Sequence, residues 1–134
     1  MDVEAALVAG IKEPTCTGTV LDDRIYPQIL PTGVTFPAAT YQMISNTPIT
    51  VHGEGAVMRR PRFQITVWGE TFSSALEAMA EIHEVLDGFR GTWGTSPNTK
   101  KIFSCIFADK RHDYSPEVGL HQVQHDYFIQ HKGD

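Results

Sequence analysis

The chain has 134 residues, of which 41% are hydrophobic and 20% charged, and a formal net charge of −5. That size and balance describe one soluble domain, residues 1–134, able to bury an ordinary core without disulfide or metal staples. The acidic excess argues against broad electrostatic capture of nucleic acid, which needs Lys and Arg to displace counterions, and no apolar run is long enough for a signal peptide or a membrane span.

Residues 2–11 place Val3, Ala6 and Leu7 on one side, with Asp2 and Glu4 where a helix start favours acids, and Pro14 to stop the helix. Residues 15–34 carry Pro27 and Pro31 and little periodicity, so they read mostly as loop. Ile25–Tyr26 is a very short edge strand halted by Pro27. Alternation around Tyr41 and Met43 predicts a strand, followed by a hairpin arm over 46–55 with Pro48, Gly53 and Gly55. The clearest strand signal is 60–68, where Phe63, Ile65 and Val67 face one way and Arg62, Gln64, Thr66 and Trp68 the other.

The clearest helix is 71–88. Thr71 is placed to cap its start, and Gly88 to end it in a left-handed conformation. Phe72, Leu76, Met79, Ile82, His83 and Leu86 make its expected apolar stripe. Residues 91–100 read as a polar loop, 101–109 and 121–130 as strands, and 113–119 as the connection between them. The order α-β-β-α-β-β gives an α+β fold: a mainly antiparallel sheet with helices packed on one face.

Motifs for chemistry are missing. There is no GxxxxGK[ST] or strand-linked GxGxxG for phosphate, and no GxSxG nucleophile elbow. His121, His125 and His131 share one side of the last strand, but the strand rise spreads the first two about 13 Å apart, too far for one ion. They are expected as surface or partner-contacting groups, and His83 as a half-buried structural histidine. The run Asp109 to Asp113 gathers five ionisable groups, but successive strand residues point to opposite faces and need not converge. Cys16 and Cys105 are expected as free thiols, Cys105 buried on a strand. No catalytic residue, metal or cofactor is therefore expected. Trp68 fits either the core or a partner contact.

In order along the chain stand Arg24-Ile25-Tyr26-Pro27, Leu30-Pro31 and Phe36-Pro37-Ala38-Ala39-Thr40-Tyr41. Then come the strand from Arg62 to Trp68, the helix end Leu86-Asp87-Gly88-Phe89-Arg90-Gly91, and Asp113-Tyr114-Ser115-Pro116-Glu117-Val118-Gly119-Leu120-His121. This series resembles the tail completion, or tail terminator, proteins of long-tailed phages and related gene transfer agents, over nearly the whole chain. Each motif alone is loose, and the specificity lies in the series.

The resemblance implies a non-enzymatic assembly protein that caps the tail tube, forms a ring, often of six subunits, and joins the tail to the head connector. Its partners would be copies of itself, the tail tube protein and the head–tail connector protein. DNA would pass through the ring without specific binding, an arrangement that suits an acidic chain. The protein would sit at the head-proximal end of the virion tail, after synthesis in the host cytoplasm. Expected interface residues are His52, Glu54, Arg59, Arg60, Arg62, Trp68, Trp93, Asp113 and Tyr114, with the arginines available to Asp22, Asp23 or Glu54 across a subunit boundary. The alternatives are another head–tail connector component or a small ligand-binding α+β domain, the latter needing a pocket around groups such as His83, Asp113 and His121.

Overall fold

The computed structural model describes residues 2–11, 24–49, 58–95 and 98–132. Among them the chain runs α1 (Val3–Ile11), β1 (Ile25–Pro27), β2 (Ala38–Ile49), β3 (Met58–Gly69), α2 (Phe72–Leu86), β4 (Gly91–Thr95), β5 (Asn98–Ser115) and β6 (Leu120–Lys132). The strands form one six-stranded sheet in the order β1-β2-β3-β6-β5-β4. All neighbours are antiparallel except β1 with β2.

Among the described residues the order is α-β-β-β-α-β-β-β, in place of the expected α-β-β-α-β-β. β1 becomes a sheet member through non-local pairing: Ile25 lies opposite Ala39, the Ala39 N–H donates to the Arg24 carbonyl at 2.9 Å, and the Gln28 N–H donates to the Tyr41 carbonyl at 2.9 Å. Residues 91–95, expected as loop, form an edge strand because Trp93 points inward and is 2% exposed. A single apolar anchor among Gly and Thr leaves no visible alternation. β5 also runs further than expected, through the charged residues to Ser115.

The alternation in β3 places Phe63, Ile65 and Val67 fully inside, opposite Tyr127, His125 and Val123 of β6. Both helices cover this face and share its core. α1 begins at Asp2, whose carboxylate accepts the Ala5 N–H at 2.8 Å, and buries Val3, Ala6, Leu7, Gly10 and Ile11. Gly10 is required by packing: an added Cβ would lie 2.5 Å from the Trp93 indole. The expected stop at Pro14 lies outside the described residues.

α2 starts as the sequence predicts, with the Thr71 hydroxyl oxygen accepting the Ser74 N–H at 3.1 Å. Past its end, Gly88 takes φ +75°, and its N–H donates to the Cys105 carbonyl at 2.8 Å. The buried side is Ala75, Ala78, Met79, Ile82 and Leu86, so the stripe is rotated from the one expected. Small alanines let the helix approach the sheet closely, while Phe72 is 39% exposed and meets His112 edge-on and His121 at a tilt beyond the core. No helix of the described residues is long and apolar enough to cross a membrane.

Candidate assembly surface

Both helices occupy one face of the sheet and leave the other uncovered by any described helix. Strand parity fills that open face with polar groups: Thr40 and Gln42 of β2, Arg60, Arg62, Gln64, Thr66 and Trp68 of β3, and Gln122, Gln124 and Asp126 of β6. Asp109, Arg111 and Asp113 of β5 continue the row, because a bulge between Phe107 and Asp109 resets the register. Alternation is thus kept within the charged run: Lys110, His112 and Tyr114 turn to the helix-bearing side.

The centre of the open face is Asp126, 3% exposed. Arg62 donates to its Oδ2 through Nη2 at 2.7 Å and Nε at 3.0 Å, and Arg111 donates Nη2–H to its Oδ1 at 2.9 Å. Arg111 also donates to Asp109 at 2.6 Å and to the Gln124 side chain at 3.2 Å. The bond to Asp126 is the largest influence holding the Arg111 guanidinium above its usual pKa. Asp109 is held below the usual carboxylate range, first by the Lys110 backbone N–H and then by Arg111. Amides extend the network, Gln124 donating to Gln122 at 3.3 Å and Gln122 to Ser115 at 3.0 Å. Arg60 lies over the Phe128 ring, 4.4 Å from its centroid. Such a face is polar, held in place by its own bonds, and close to charge-balanced at its centre.

The sheet also leaves two backbone edges open among the described residues. β1 covers β2 only at 39–41, so 42–49 is an edge; β4 covers β5 at 98–102 and the Gly88 N–H takes the Cys105 carbonyl, so 106–115 is another. Ile44 on the first is 48% exposed and Ile106 on the second 50%. The edges flank the sheet on opposite sides.

The expected interface residues divide accordingly. Arg60, Arg62, Trp68 and Asp113 share the open face, Arg60 and Arg62 towards one end of β3 and Trp68 and Asp113 beside Gln122 towards the other. Arg62 is satisfied within its own chain by Asp126, and Trp68 is half-buried, its indole N–H donating to Thr40 at 3.4 Å. Arg59 and Tyr114 lie on the helix-bearing side, Tyr114 packed against His121 at 4.6 Å between centroids. Trp93 stacks on Phe89 in the core and offers no monomer surface. His52, Glu54, Asp22, Asp23 and Cys16 lie outside the described residues. Asp126, Arg111 and Phe128 were not legible as a group, since only strand register brings Arg62 to Asp126.

The histidines are also redistributed. His125 is 5% exposed and His131 fully buried, so neither is a surface group. They lie on the core face because β6 alternates in step with β3. His83 is half-buried as expected, its Nδ1 2.9 Å from the Tyr127 hydroxyl. Burial, chiefly, pushes His125 down to about 4 and the free Cys105 thiol up to about 12. Among the described residues no group of His, Cys, Asp or Glu is placed to hold a metal.

Among the described residues, a single sheet carries its helices on one face and leaves a polar face and two stretches of strand edge through which a chain can meet others. The sequence model of the family described as tail completion protein gp17 matches residues 5–131. The chain belongs to that family, and so to the structural proteins of phage tails. Comparison with curated proteins gives no match. Among solved structures, a chain of the virion of a native gene transfer agent particle superposes with a TM-score of 0.74 at 12% identity, over 98% of this chain and 95% of that one. At that identity the likeness is one of fold.

Proposed function

We propose that the protein is a tail terminator: it caps the finished tail tube, closes into a ring of six copies and joins the tail to the head connector, without catalysis. The observation that carries the ring is the pair of unlike edges left open among the described residues, 42–49 of β2 and 106–115 of β5. Contact between two different patches is head-to-tail, and such contacts generate rings when the rotation closes. Unpaired edges invite pairing with another chain. Ile44 and Ile106 supply exposed apolar contact on these edges, and family membership supplies the setting. The gene transfer agent particle shows the same fold inside a virion.

In this reading the protein waits in the host cytoplasm and ends at the head-proximal end of the tail. DNA crosses the ring without being gripped, which the net charge of −5 per copy favours. The test is sedimentation of the purified chain mixed with its tail tube protein and, separately, with its connector protein. Co-sedimentation that Ile44→Glu or Ile106→Glu abolishes supports the reading. Association with neither partner overturns it.

A further inference from the structure

The β5 edge is not left bare in the free chain. Beyond its bulge, Lys110 lies opposite His125 of β6 and Tyr114 opposite His121. Yet the Lys110 N–H donates to Asp109 Oδ1, and the Tyr114 N–H to Asp113 Oδ1, each at 2.8 Å. Residues of an antiparallel ladder alternate between those whose backbone groups bond the neighbouring strand and those whose groups turn away from it. Residues 110, 112 and 114 therefore turn theirs to the outer edge. Two of these three N–H groups are already taken by the carboxylate one residue earlier.

Such local bonds offer the backbone an alternative to a sheet ladder, and charged groups on an edge strand discourage stray pairing. The first of the two carboxylates is itself anchored. The second oxygen of Asp109 accepts the Arg111 guanidinium at 2.6 Å, and Arg111 is held in turn by Asp126 at 2.9 Å. The β2 edge is of another kind, since residues 42–49 carry no charged side chain. β2 runs antiparallel to β3, β3 to β6 and β6 to β5, so β2 and β5 are antiparallel to each other. A sheet continued from one copy to the next thus sets 42–49 antiparallel to 106–115. The Lys110 and Tyr114 N–H groups can join that ladder only after their carboxylates leave.

Resting on the terminator reading, we propose that Asp109 and Asp113 lock the β5 edge of the free chain. The 42–49 edge of a second copy displaces them where copies stand side by side on the end of a tube. The high local concentration there drives the exchange of carboxylate for backbone carbonyl. The lock keeps single chains from pairing before a tube is finished.

The test compares the free wild-type chain with Asp109→Ala/Asp113→Ala and Asp109→Asn/Asp113→Asn by light scattering over a wide concentration range, without tubes. The alanine variant is expected to self-associate at a concentration roughly tenfold or more below the wild type, and adding Ile44→Glu should abolish this. The asparagine variant loses the same charges but keeps an acceptor oxygen, so it should follow the wild type. Amide exchange of the wild-type chain gives a second reading that needs no variant: Lys110 and Tyr114, corrected for intrinsic rates, should exchange more slowly than His112. The proposal is overturned if the alanine variant associates no more readily than the wild type, if asparagine acts like alanine, or if Ile44→Glu leaves the association intact. Equal exchange at 110, 112 and 114 overturns it as well. All of this is read on the free chain, so failure of the lock leaves binding to tube and connector standing, and failure to bind either leaves the amide protection standing.

Discussion

Replacing Asp126 with Asn keeps the shape of the side chain and removes the charge between Arg62 and Arg111. The carboxylate is 4% exposed, and the two guanidinium side chains are 32% and 41% exposed. A hydrogen bond to a charged group contributes about 1.5–3 kcal/mol. Two arginines are engaged, and their partial exposure reduces each contribution. The expected loss is about 2–4 kcal/mol. An unfolding entropy of about 2.1 cal/mol/K per residue makes roughly 0.28 kcal/mol/K for a chain of 134 residues, so Tm should fall by roughly 10 °C. Circular dichroism during heating and urea unfolding reads both values. The measurement should be repeated at 1 M salt, where exposed ion pairs are screened and this one largely is not. A loss below about 0.5 kcal/mol, the range of an ordinary surface pair, refutes the claim that Asp126 organises the open face.

The remaining predictions concern the packed side. Gly10→Ala gains about 1 kcal/mol of helix propensity but drives a Cβ to 2.5 Å from the Trp93 indole, so it should destabilise by about 1–3 kcal/mol, and adding Trp93→Phe should recover part of that. Calorimetry of the three variants checks the sign. His125 titrates at about 4 when folded against an ordinary 6.5. Between those values the unfolded chain holds a proton that the native chain lacks, so stability is full above pH 6.5 and falls as the pH drops towards 4, by at most about 3 kcal/mol. Urea midpoints across that range should slope in the wild type and flatten in His125→Phe. In a Cys16→Ser background the native Cys105 thiol, pushed up to about 12 by burial, should ignore Ellman's reagent until unfolding, and labelling within minutes would contradict its burial.

Local signals in the sequence foretold the local features. Alternation from Phe63 to Val67 gives β3 and its buried side, and Thr71 and Gly88 bracket α2 where the caps form. What escaped the sequence depends on pairing between distant segments. β1 was legible as a short edge strand, but its partner segment 39–41 was not, and β4 rests on Trp93 under α1. The bulge after Phe107 decides which charges of 109–113 share a face. The central ion pair joins residues 64 apart, and the His83–Tyr127 bond joins residues 44 apart, so each requires the register of β6. A helix stripe counted only from large side chains also misplaced the buried side of α2, because Ala75 and Ala78 set the closest approach.

The most direct test of the terminator account is the mass of the protein by light scattering over a wide concentration range, alone and on its tail tubes. The account predicts a discrete closed species near about 90 kDa, six copies of the 14.9 kDa chain, in solution or bound to tube ends, lost in Ile44→Glu and Ile106→Glu. A mass of 14.9 kDa under every condition, with bare tube ends, would contradict it.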